Sequence, residues 1–295
     1  MRYLSFLVFM LVAWTSLPAS AYEKPPFPRL GVYWISNQNY QDPAVRKELA
    51  RSDVVIINTW DGWESSAGVT LESVIQDIKA QNPRALVFNY VLNESIPLSH
   101  YGAREFIKKA DEMKWWLYPV GASGTPTTSF FGGDFVTVNN TLNSPPDANG
   151  DRWVEWFAKW NYRKLAVPNP SLEGFYLDNV FPRPRINGDW NRDGVTDSKS
   201  DSTVGLWQRQ GLARHFDVMR QLMPGRFQIG NIAEWGHPDA TLTELSGKLD
   251  GGLIEGIIGM DWSVESWGTW QQMMDWYRKT MDAVAEPKLV VFHQI

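Results

Sequence analysis

The chain has 295 residues, no cysteine and a formal net charge of −5. Without cysteine it forms no disulfide, so its fold depends on a hydrophobic core, and its length is ample for one large domain. The negative charge is a weak argument against nucleic acid as a partner, because nucleic acid binds to basic surfaces.

Residues 1–21 have the pattern of a secretory signal peptide. An arginine precedes a short apolar core at 3–14, and the small residues 19–21 form an A-x-A cleavage signal. A membrane anchor is the alternative, but the apolar core is shorter than the roughly 20 residues that cross a bilayer. We therefore expect cleavage before Tyr22 and a secreted or periplasmic domain over 22–295, with no membrane contact after cleavage. The lack of cysteine favours a bacterial protein.

Seven apolar runs predict buried strands, and amphipathic patterns between them predict helices. The runs are rich in valine, isoleucine and aromatic residues, which is typical of parallel strands covered on both faces. The predicted strands are 30–35, 53–60, 85–92, 174–180, 226–232, 251–257 and 288–295, and the predicted helices are 42–51, 71–82, 102–114, 150–165, 203–223 and 267–285. The alternation predicts an α/β fold, a (β/α)8 TIM barrel. A doubly wound sheet is the alternative, but no Gly-x-Gly-x-x-Gly follows the first strand.

Two irregularities interrupt the pattern. Residues 115–149 form a long polar excursion with many aromatic side chains, which predicts a loop that walls a cleft. The strand count is seven, so either the last βα unit is missing and the chain is a fragment, or residues 115–120 form an eighth strand. We favour the missing unit.

Polar side chains recur in the last part of the predicted strands, or just after it. Asp178 ends the apolar run of the fourth strand, and Glu255 interrupts that of the sixth. The carboxyl ends of barrel strands carry the active sites of barrel enzymes. Ordinary buried polar groups bonded to loops are the alternative for each residue. A pair of carboxylates across a cleft is what cleavage of a glycosidic bond requires.

Four motifs together resemble glycosyl hydrolases of barrel fold, in groups related to α-galactosidases and endo-polygalactosaminidases. They are R-L-G-V-Y-W at 29–34, V-V-I-I-N-T-W-D-G-W-E at 54–64, G-F-Y-L-D-N-V at 174–180 and G-L-I-E-G-I at 252–257. The resemblance runs from about Arg29 to the end. It implies a nucleophile at the end of the fourth strand and a proton donor on the sixth, hence Asp178 and Glu255. Many relatives have aspartate as the donor, so Glu234 stays an alternative to Glu255.

This chemistry places demands on the side chains around the two acids. An apolar setting keeps a donor protonated, and Leu253, Ile254, Ile257 and Ile258 could supply it around Glu255. Asn179 or Asn231 could hold Asp178 ionised by a hydrogen bond. A retaining mechanism is predicted, which needs a carboxyl separation of about 5–5.5 Å, against about 6.5–9.5 Å for inversion.

A carbohydrate cleft also needs flat apolar faces and hydrogen-bonding groups, and the 16 tryptophans of the chain suit it. Aromatic candidates could stack on a sugar, and polar ones could bind its hydroxyls. The predicted substrate-binding residues are Tyr33, Trp60, Asp61, Asn89, Tyr90, Asn179, Asn231, Glu234 and His293.

Residues 189–197, D-W-N-R-D-G-V-T-D, match the start of a calcium loop. Oxygen ligands would come from Asp189, Asn191, Asp193, Val195 and Asp197. The glutamate expected at the twelfth position is absent, so we expect an isolated loop with a structural Ca²⁺. A turn that is acidic for conformational reasons is the alternative.

Motifs of other enzyme classes are missing. There is no His-Glu-x-x-His, no Gly-x-Ser-x-Gly and no phosphate-binding loop, so a zinc hydrolase, an α/β-hydrolase and a nucleotide enzyme are unsupported. We predict an exported glycoside hydrolase, monomeric and without an organic cofactor, that acts on a poly- or oligosaccharide. The alternative is a carbohydrate-binding barrel without catalysis.

Overall fold

The computed structural model describes residues 28–256, 266 and 268–293. The predicted leader at 1–21 lies outside the described residues, as do Ile257 and Ile258. Within the described ranges, no helix has the length and apolar character needed to cross a membrane.

Seven parallel strands alternate with helices and form a nearly closed barrel. Together with the two strands of a separate ribbon, the described strands in chain order are β1 (Gly31–Trp34), β2 (Val54–Ile57), β3 (Leu86–Leu92), β4 (Ser95–Pro97), β5 (Phe135–Thr137), β6 (Gly174–Asp178), β7 (Phe227–Asn231), β8 (Gly251–Glu255) and β9 (Leu289–His293). The barrel order is β1-β2-β3-β6-β7-β8-β9, and β4 pairs with β5 in a separate antiparallel ribbon. The sheet is an incomplete (β/α)8 barrel, which confirms the predicted fold class.

The segment 115–120 does not supply an eighth barrel strand. Trp116 forms only an isolated antiparallel bridge with Val138, beside the β4–β5 ribbon. The two outermost barrel strands nevertheless lie close together. A Cβ built on Gly31 of β1 would lie 2.8 Å from a methyl group of Val291 in β9.

The six predicted helices are all present, and a short seventh lies after β2. They are α1 (Pro43–Leu49), α2 (Trp63–Ala67), α3 (Leu71–Gln81), α4 (Arg104–Met113), α5 (Trp153–Asn161), α6 (Ser202–Leu222) and α7 (Trp270–Ala283). Local signals explain where they begin: Asp42 caps α1 before a proline, and Thr70 caps α3 through its hydroxyl. Their apolar faces cover the outside of the sheet.

Alternation along the strands separates an inner from an outer core. In β3, Leu86, Phe88, Tyr90 and Leu92 belong to the cluster inside the barrel. Val87 and Val91 belong to the cluster under the helices. Since successive side chains of a strand point to opposite faces, this parity decides which polar residues reach the barrel mouth.

Candidate active site

A cleft of about 820 Å³ opens at the carboxyl ends of the barrel strands. The inward-facing side chains at these strand ends line it. Its volume suits a small ligand or several sugar rings of a longer one. The lining residues are Tyr33, Ile35, Tyr90, Leu92, Phe130, Phe131, Phe135, Asp178, Asn179, Phe181, Arg185, Asn231, Ala233, Glu234 and Glu255.

Asp178 lies at the bottom of this cleft, at the last position of β6. Its side chain is 9% exposed and accepts three hydrogen bonds. The Tyr90 hydroxyl donates to Oδ2 at 2.8 Å, while the Asn231 amide and the Asn179 backbone N–H donate to Oδ1 at 3.1 and 2.9 Å. Asn179 has a φ of 58°, a left-handed conformation that asparagine tolerates, and this turn brings its N–H back to the carboxylate.

Two opposing effects act on the charge of Asp178. Burial raises the pKa of this carboxyl above its ordinary value, and the nearby Glu255 carboxylate adds to the rise. The three donors from Tyr90, Asn231 and Asn179 act in the other direction because they stabilise the ionised form. Burial is the largest effect, so the pKa of Asp178 is raised despite its three hydrogen bonds.

Asn231, at the end of β7, joins the two predicted catalytic acids. Its Nδ2 donates to Asp178 Oδ1 at 3.1 Å and to Glu255 Oε2 at 3.0 Å. Its Oδ1 accepts from the backbone N–H of Ala233 at 3.3 Å, which orients the amide. Two oxygens bonded to one nitrogen lie no farther apart than the sum of these distances, about 6 Å.

Glu234, the alternative proton donor, has a different environment. Its Oε1 lies 2.5 Å from Nη2 of Arg185. The guanidinium group of Arg185 in turn stacks over the rings of Phe181 and Phe130, at 4.2 and 5.4 Å from their centroids. Among the described residues Glu255 forms no ion pair and accepts a hydrogen bond from Asn231, so the two acids differ in their partners.

Aromatic side chains form the walls of the cleft. Phe130, Phe131 and Phe135 come from the predicted excursion at 115–149, which therefore walls the cleft as expected. Phe130 and Phe131 are 39% and 47% exposed, with ring centroids 4.2 Å apart. The Ser95 hydroxyl on β4 bonds to the Ser129 hydroxyl at 2.7 Å and ties this loop to the ribbon.

Tyrosine rings form the floor of the cleft. Tyr33 packs 5.4 Å from Tyr176 and 6.3 Å from Tyr90, measured between ring centroids. Burial raises the pKa of all three hydroxyls above their ordinary value. They are therefore neutral hydrogen-bond donors at physiological pH. His293 lies opposite Glu255 in the β8–β9 register, with its ring centroid 5.4 Å from that of Tyr33, so it adjoins the site.

Three predicted substrate-binding residues do not line this cleft. Asn89 lies on the outer face of β3, which faces the helices. There its Oδ1 accepts a hydrogen bond from the hydroxyl of Thr59 at 2.7 Å. Trp60 and Asp61 follow β2 but lie in a separate groove of about 230 Å³, beside Lys164. The Trp60 ring packs 4.4 Å from His100, measured between ring centroids. The other six predicted residues, Tyr33, Tyr90, Asn179, Asn231, Glu234 and His293, do line or adjoin the cleft.

Sequence reasoning missed Arg185 and the cleft-lining phenylalanines, and it assigned no role to Glu94, which lies just beyond the third predicted strand. Arg185 is in a loop seven residues beyond Asp178, where no periodic pattern indicates its direction. Glu94 is two residues beyond Leu92 of β3, at the spacing of the inner row of that strand. That spacing was the available signal for Glu94.

The loop 189–197 is closed by hydrogen bonds between its own side chains and backbone. Asp189 is 1% exposed, and its Oδ2 accepts from the N–H groups of Gly194 at 2.9 Å and of Gly121 at 2.7 Å. Asp197 Oδ2 accepts from Trp190 N–H at 2.8 Å. No group of three or more acidic, histidine or cysteine side chains suited to a metal occurs in the described part of the chain. Calcium at this loop stays a prediction.

No family model matches the chain, and no curated protein matches its sequence. Among solved structures it is similar to the glycoside hydrolase domain of PelA from Pseudomonas aeruginosa, at 15% identity over 86% of this chain and 78% of that one, with a TM-score of 0.48. It is similar to the GH36 alpha-galactosidase AgaA from Geobacillus stearothermophilus, at 9% identity over 87% and 33% of the two chains, with a TM-score of 0.48. It is also similar to a cycloalternan-degrading enzyme from Trueperella pyogenes, at 12% identity over 69% and 33%, with a TM-score of 0.42.

The first two of these proteins are described as glycoside hydrolases. Identities of 15% or less and TM-scores below 0.5 leave the activity of this chain to be inferred from its own side chains.

Proposed function

We propose that the chain is an exported, retaining glycoside hydrolase in which Asp178 is the nucleophile and Glu255 the acid/base. The observation that carries the proposal is the amide of Asn231, which donates to both carboxylates at 3.1 and 3.0 Å on the floor of one cleft. That arrangement places two acids within reach of a single glycosidic bond. Export rests on the predicted leader at residues 1–21.

The proposed reaction has two steps. In the first, Asp178 attacks the anomeric carbon while Glu255 protonates the departing glycosidic oxygen, and a covalent glycosyl ester forms on Asp178. In the second, Glu255 takes a proton from water, and that water attacks the same carbon and releases the sugar. The configuration is retained because the carbon is inverted twice.

The hydrogen bonds of Asp178 support its part in this reaction. Three donors stabilise the carboxylate against the effect of burial. Its Oδ2 accepts from Tyr90 alone among the described residues, so lone pairs on this oxygen remain for attack. Asn179 lines the cleft, and its side-chain Nδ2 is buried without a partner in the described part of the chain.

The shape of the cleft supports a carbohydrate as the substrate. Phe130, Phe131 and Phe181 present apolar faces along one wall, and Tyr33 and Tyr90 do so on the floor. Flat rings with nearby polar groups suit the alternating apolar and hydroxyl faces of a sugar. The volume of about 820 Å³ exceeds what one ring needs, which favours an oligo- or polysaccharide.

The test is cleavage of a polysaccharide panel by the native chain and three variants. Asp178→Asn and Glu255→Gln remove the proposed nucleophile and acid/base, while Asp61→Asn changes an acid outside the cleft. We expect new reducing ends with the native chain and Asp61→Asn, and a loss of at least about 10³-fold with the other two. Binding without cleavage by the native chain would support the non-catalytic alternative instead.

A second readout tests retention. The Glu255→Gln variant lacks the acid of the first step and the base of the second, so the glycosyl ester should accumulate on Asp178 only from a substrate whose leaving group needs no protonation, such as a glycosyl fluoride of the cleaved sugar. Intact-mass spectrometry after mixing with that fluoride should show an added sugar mass, located to the peptide that contains Asp178. Hydrolysis without such an adduct, and with an inverted product anomer by NMR, would contradict retention.

A further inference from the structure

We infer that Glu94 is a positioning residue of the cleft. It holds a proton at neutral pH, so that Arg185 forms its ion pair with Glu234 alone. Its role in catalysis rests on the proposed function, whereas its proton can be measured without any substrate. Neither the predicted catalytic pair nor the predicted substrate-binding set includes Glu94.

The place of Glu94 brings it to the active end of the barrel. It follows the inner row of β3 and precedes β4, and its backbone carbonyl accepts from Val138 N–H at 2.9 Å. Leu92 lines the cleft and pairs with Asp178 in the β3–β6 register, and Glu94 follows it by two residues in the same inner row. The next residue, Ser95, bonds to Ser129 beside Phe130, on which Arg185 stacks. Glu94 therefore lies at the barrel mouth, in the neighbourhood of Asp178 and Arg185.

The carboxyl of Glu94 is buried and unpaired. The residue is 1% exposed, and neither oxygen has a hydrogen-bond partner among the described residues. An ionised carboxylate without partners is costly in such a setting, whereas the neutral acid is tolerated. Burial raises the pKa of Glu94 to about 8; Asp178 and Glu234 add to the rise, and Arg185 opposes it. The proton is therefore retained at pH 7.

Arg185 is the group through which Glu94 acts. It is the only cationic side chain in the described lining of the cleft, and it binds Glu234 at 2.5 Å. Its Nε is buried and has no partner among the described residues. If Glu94 ionised, one guanidinium would be shared between two carboxylates, and its bond to Glu234 would weaken. A neutral Glu94 prevents this competition.

The consequence for the cleft is geometric. Arg185 also stacks on Phe181 and Phe130, so a displaced guanidinium would disturb the aromatic wall. Glu234 would lose its ion-pair partner at the cleft. We therefore expect ionisation of Glu94 to lower activity on the alkaline side of neutrality, through Arg185 and not through contact with the substrate.

The first test is a titration of the native chain labelled with ¹³C at glutamate side chains. The carboxyl resonance of Glu94 is assigned by its absence in Glu94→Gln, and its midpoint is followed from pH 4 to pH 10. We expect a midpoint near pH 8. We expect it to fall in Glu234→Gln, which removes a repulsive charge and frees Arg185, and to rise in Arg185→Met. A midpoint below about pH 6 in the native chain, or no response to Glu234→Gln, overturns the inference.

The second test is stability as a function of pH, which needs no assignment. The folded pKa of Glu94 lies above its unfolded value, so this group destabilises the native chain increasingly as pH rises between the two values. Glu94→Gln keeps the shape without the charge, so its melting temperature should exceed the native one more at pH 8 than at pH 5. The matched control Glu112→Gln changes an exposed glutamate on α4 and should show no such trend. An equal difference at both pH values overturns the inference.

Activity separates this inference from the proposed function. On a cleaved polysaccharide, the pH–activity profile of Glu94→Gln should lack the alkaline decline that the native chain shows, whereas Glu112→Gln should keep that decline. A midpoint near pH 8 with no glycan cleaved would leave the inference intact and refute the hydrolase. Cleavage by a chain whose Glu94 titrates near pH 4 would do the reverse.

Discussion

The exchange Asn231→Asp tests the geometry on which the proposed function depends. Asn231 Nδ2 lies 3.1 Å from Asp178 Oδ1 and 3.0 Å from Glu255 Oε2. The variant keeps the shape but replaces this donor by a carboxyl oxygen. At an effective dielectric constant of about 20, two unit charges about 3 Å apart repel each other by roughly 5–6 kcal/mol. The contact with Asp178 alone would cost the folded chain that amount.

Uptake of a proton is the less costly outcome for the variant. A carboxyl of ordinary pKa binds a proton at pH 7 at a cost of about 4 kcal/mol. The folded variant will therefore hold one proton among Asp178, Glu255 and the new acid, whereas the unfolded chain releases it near pH 4. Because the folded state binds more protons, stability falls as pH rises. At about 1.4 kcal/mol per pH unit, the variant should lose about 2–3 kcal/mol relative to the native chain between pH 5 and pH 7.

The assay is urea unfolding followed by tryptophan fluorescence at both pH values. Asn149→Asp makes the same chemical change at an exposed position, so its difference from the native chain should vary by less than about 0.5 kcal/mol. Asn231→Ala removes the bridge without adding an acid, and its deficit should depend on pH much less than that of Asn231→Asp. A deficit for Asn231→Asp that is the same at pH 5 and pH 7 would refute the view that Asn231 donates to the carboxylate of Asp178.

Three further outcomes are expected. Tyr90→Phe removes the 2.8 Å hydrogen bond to Asp178 and so raises the pKa of that carboxyl further. The acid limb of the pH–rate profile should therefore move up by about one pH unit. An unmoved acid limb would contradict the role of Tyr90 as a donor that stabilises the charge of Asp178. Gly174→Ala would place a Cβ 1.9 Å from a backbone carbonyl oxygen of β7, so it should lower the free energy of unfolding by about 3 kcal/mol. In the control Gly225→Ala the new methyl group enters open space, and urea unfolding should show little change in that free energy. If the loop 189–197 binds Ca²⁺ as predicted, EGTA should lower the melting temperature by several degrees, and an unchanged value would exclude a stabilising ion.

The barrel and the two central acids could be predicted because both depend on short-range patterns. Continuous apolar runs separated by amphipathic helices indicate parallel strands, and the carboxyl ends of parallel strands lie at one edge of the sheet. Asp178 and Glu255 end β6 and β8, so their meeting follows from strand order alone. The position of Asn231 on β7, between them in the sheet, follows in the same way, although its two hydrogen bonds do not.

Asn89 shows where the same patterns fail. In β3 both faces are apolar, so the sequence carries no alternation to tell the inner face from the outer one. Asn89 and Tyr90 are adjacent, and only one of them can point into the barrel. The structure places Tyr90 inside and Asn89 against Thr59. Prediction of both as cleft residues was therefore geometrically inconsistent, although nothing in the composition of the strand indicates which residue to reject.

Residues in irregular segments were beyond prediction for another reason. Arg185 and Phe130 belong to loops that are far apart in the sequence, and their stacking depends on where these two loops meet at the barrel mouth. No period applies there, because loop backbones follow the hydrogen bonds that their own side chains form. The bond between Asp189 and the N–H of Gly121 is an example, since it ties the loop after β6 to the excursion after α4.

The distribution of protons connects these parts of the site. Asp178, Glu234 and Glu255 line one cleft with Glu94 behind them, and the described lining contains one cation, Arg185. Four carboxylates cannot all ionise against one guanidinium, so the fold has to determine which of them keep protons. Three hydrogen-bond donors support a charge on Asp178, and the ion pair supports one on Glu234. Glu94 has neither kind of partner, so its buried carboxyl favours the protonated form. The allocation of hydrogen-bond donors at the barrel mouth therefore favours a charge on Asp178 and a proton on Glu94.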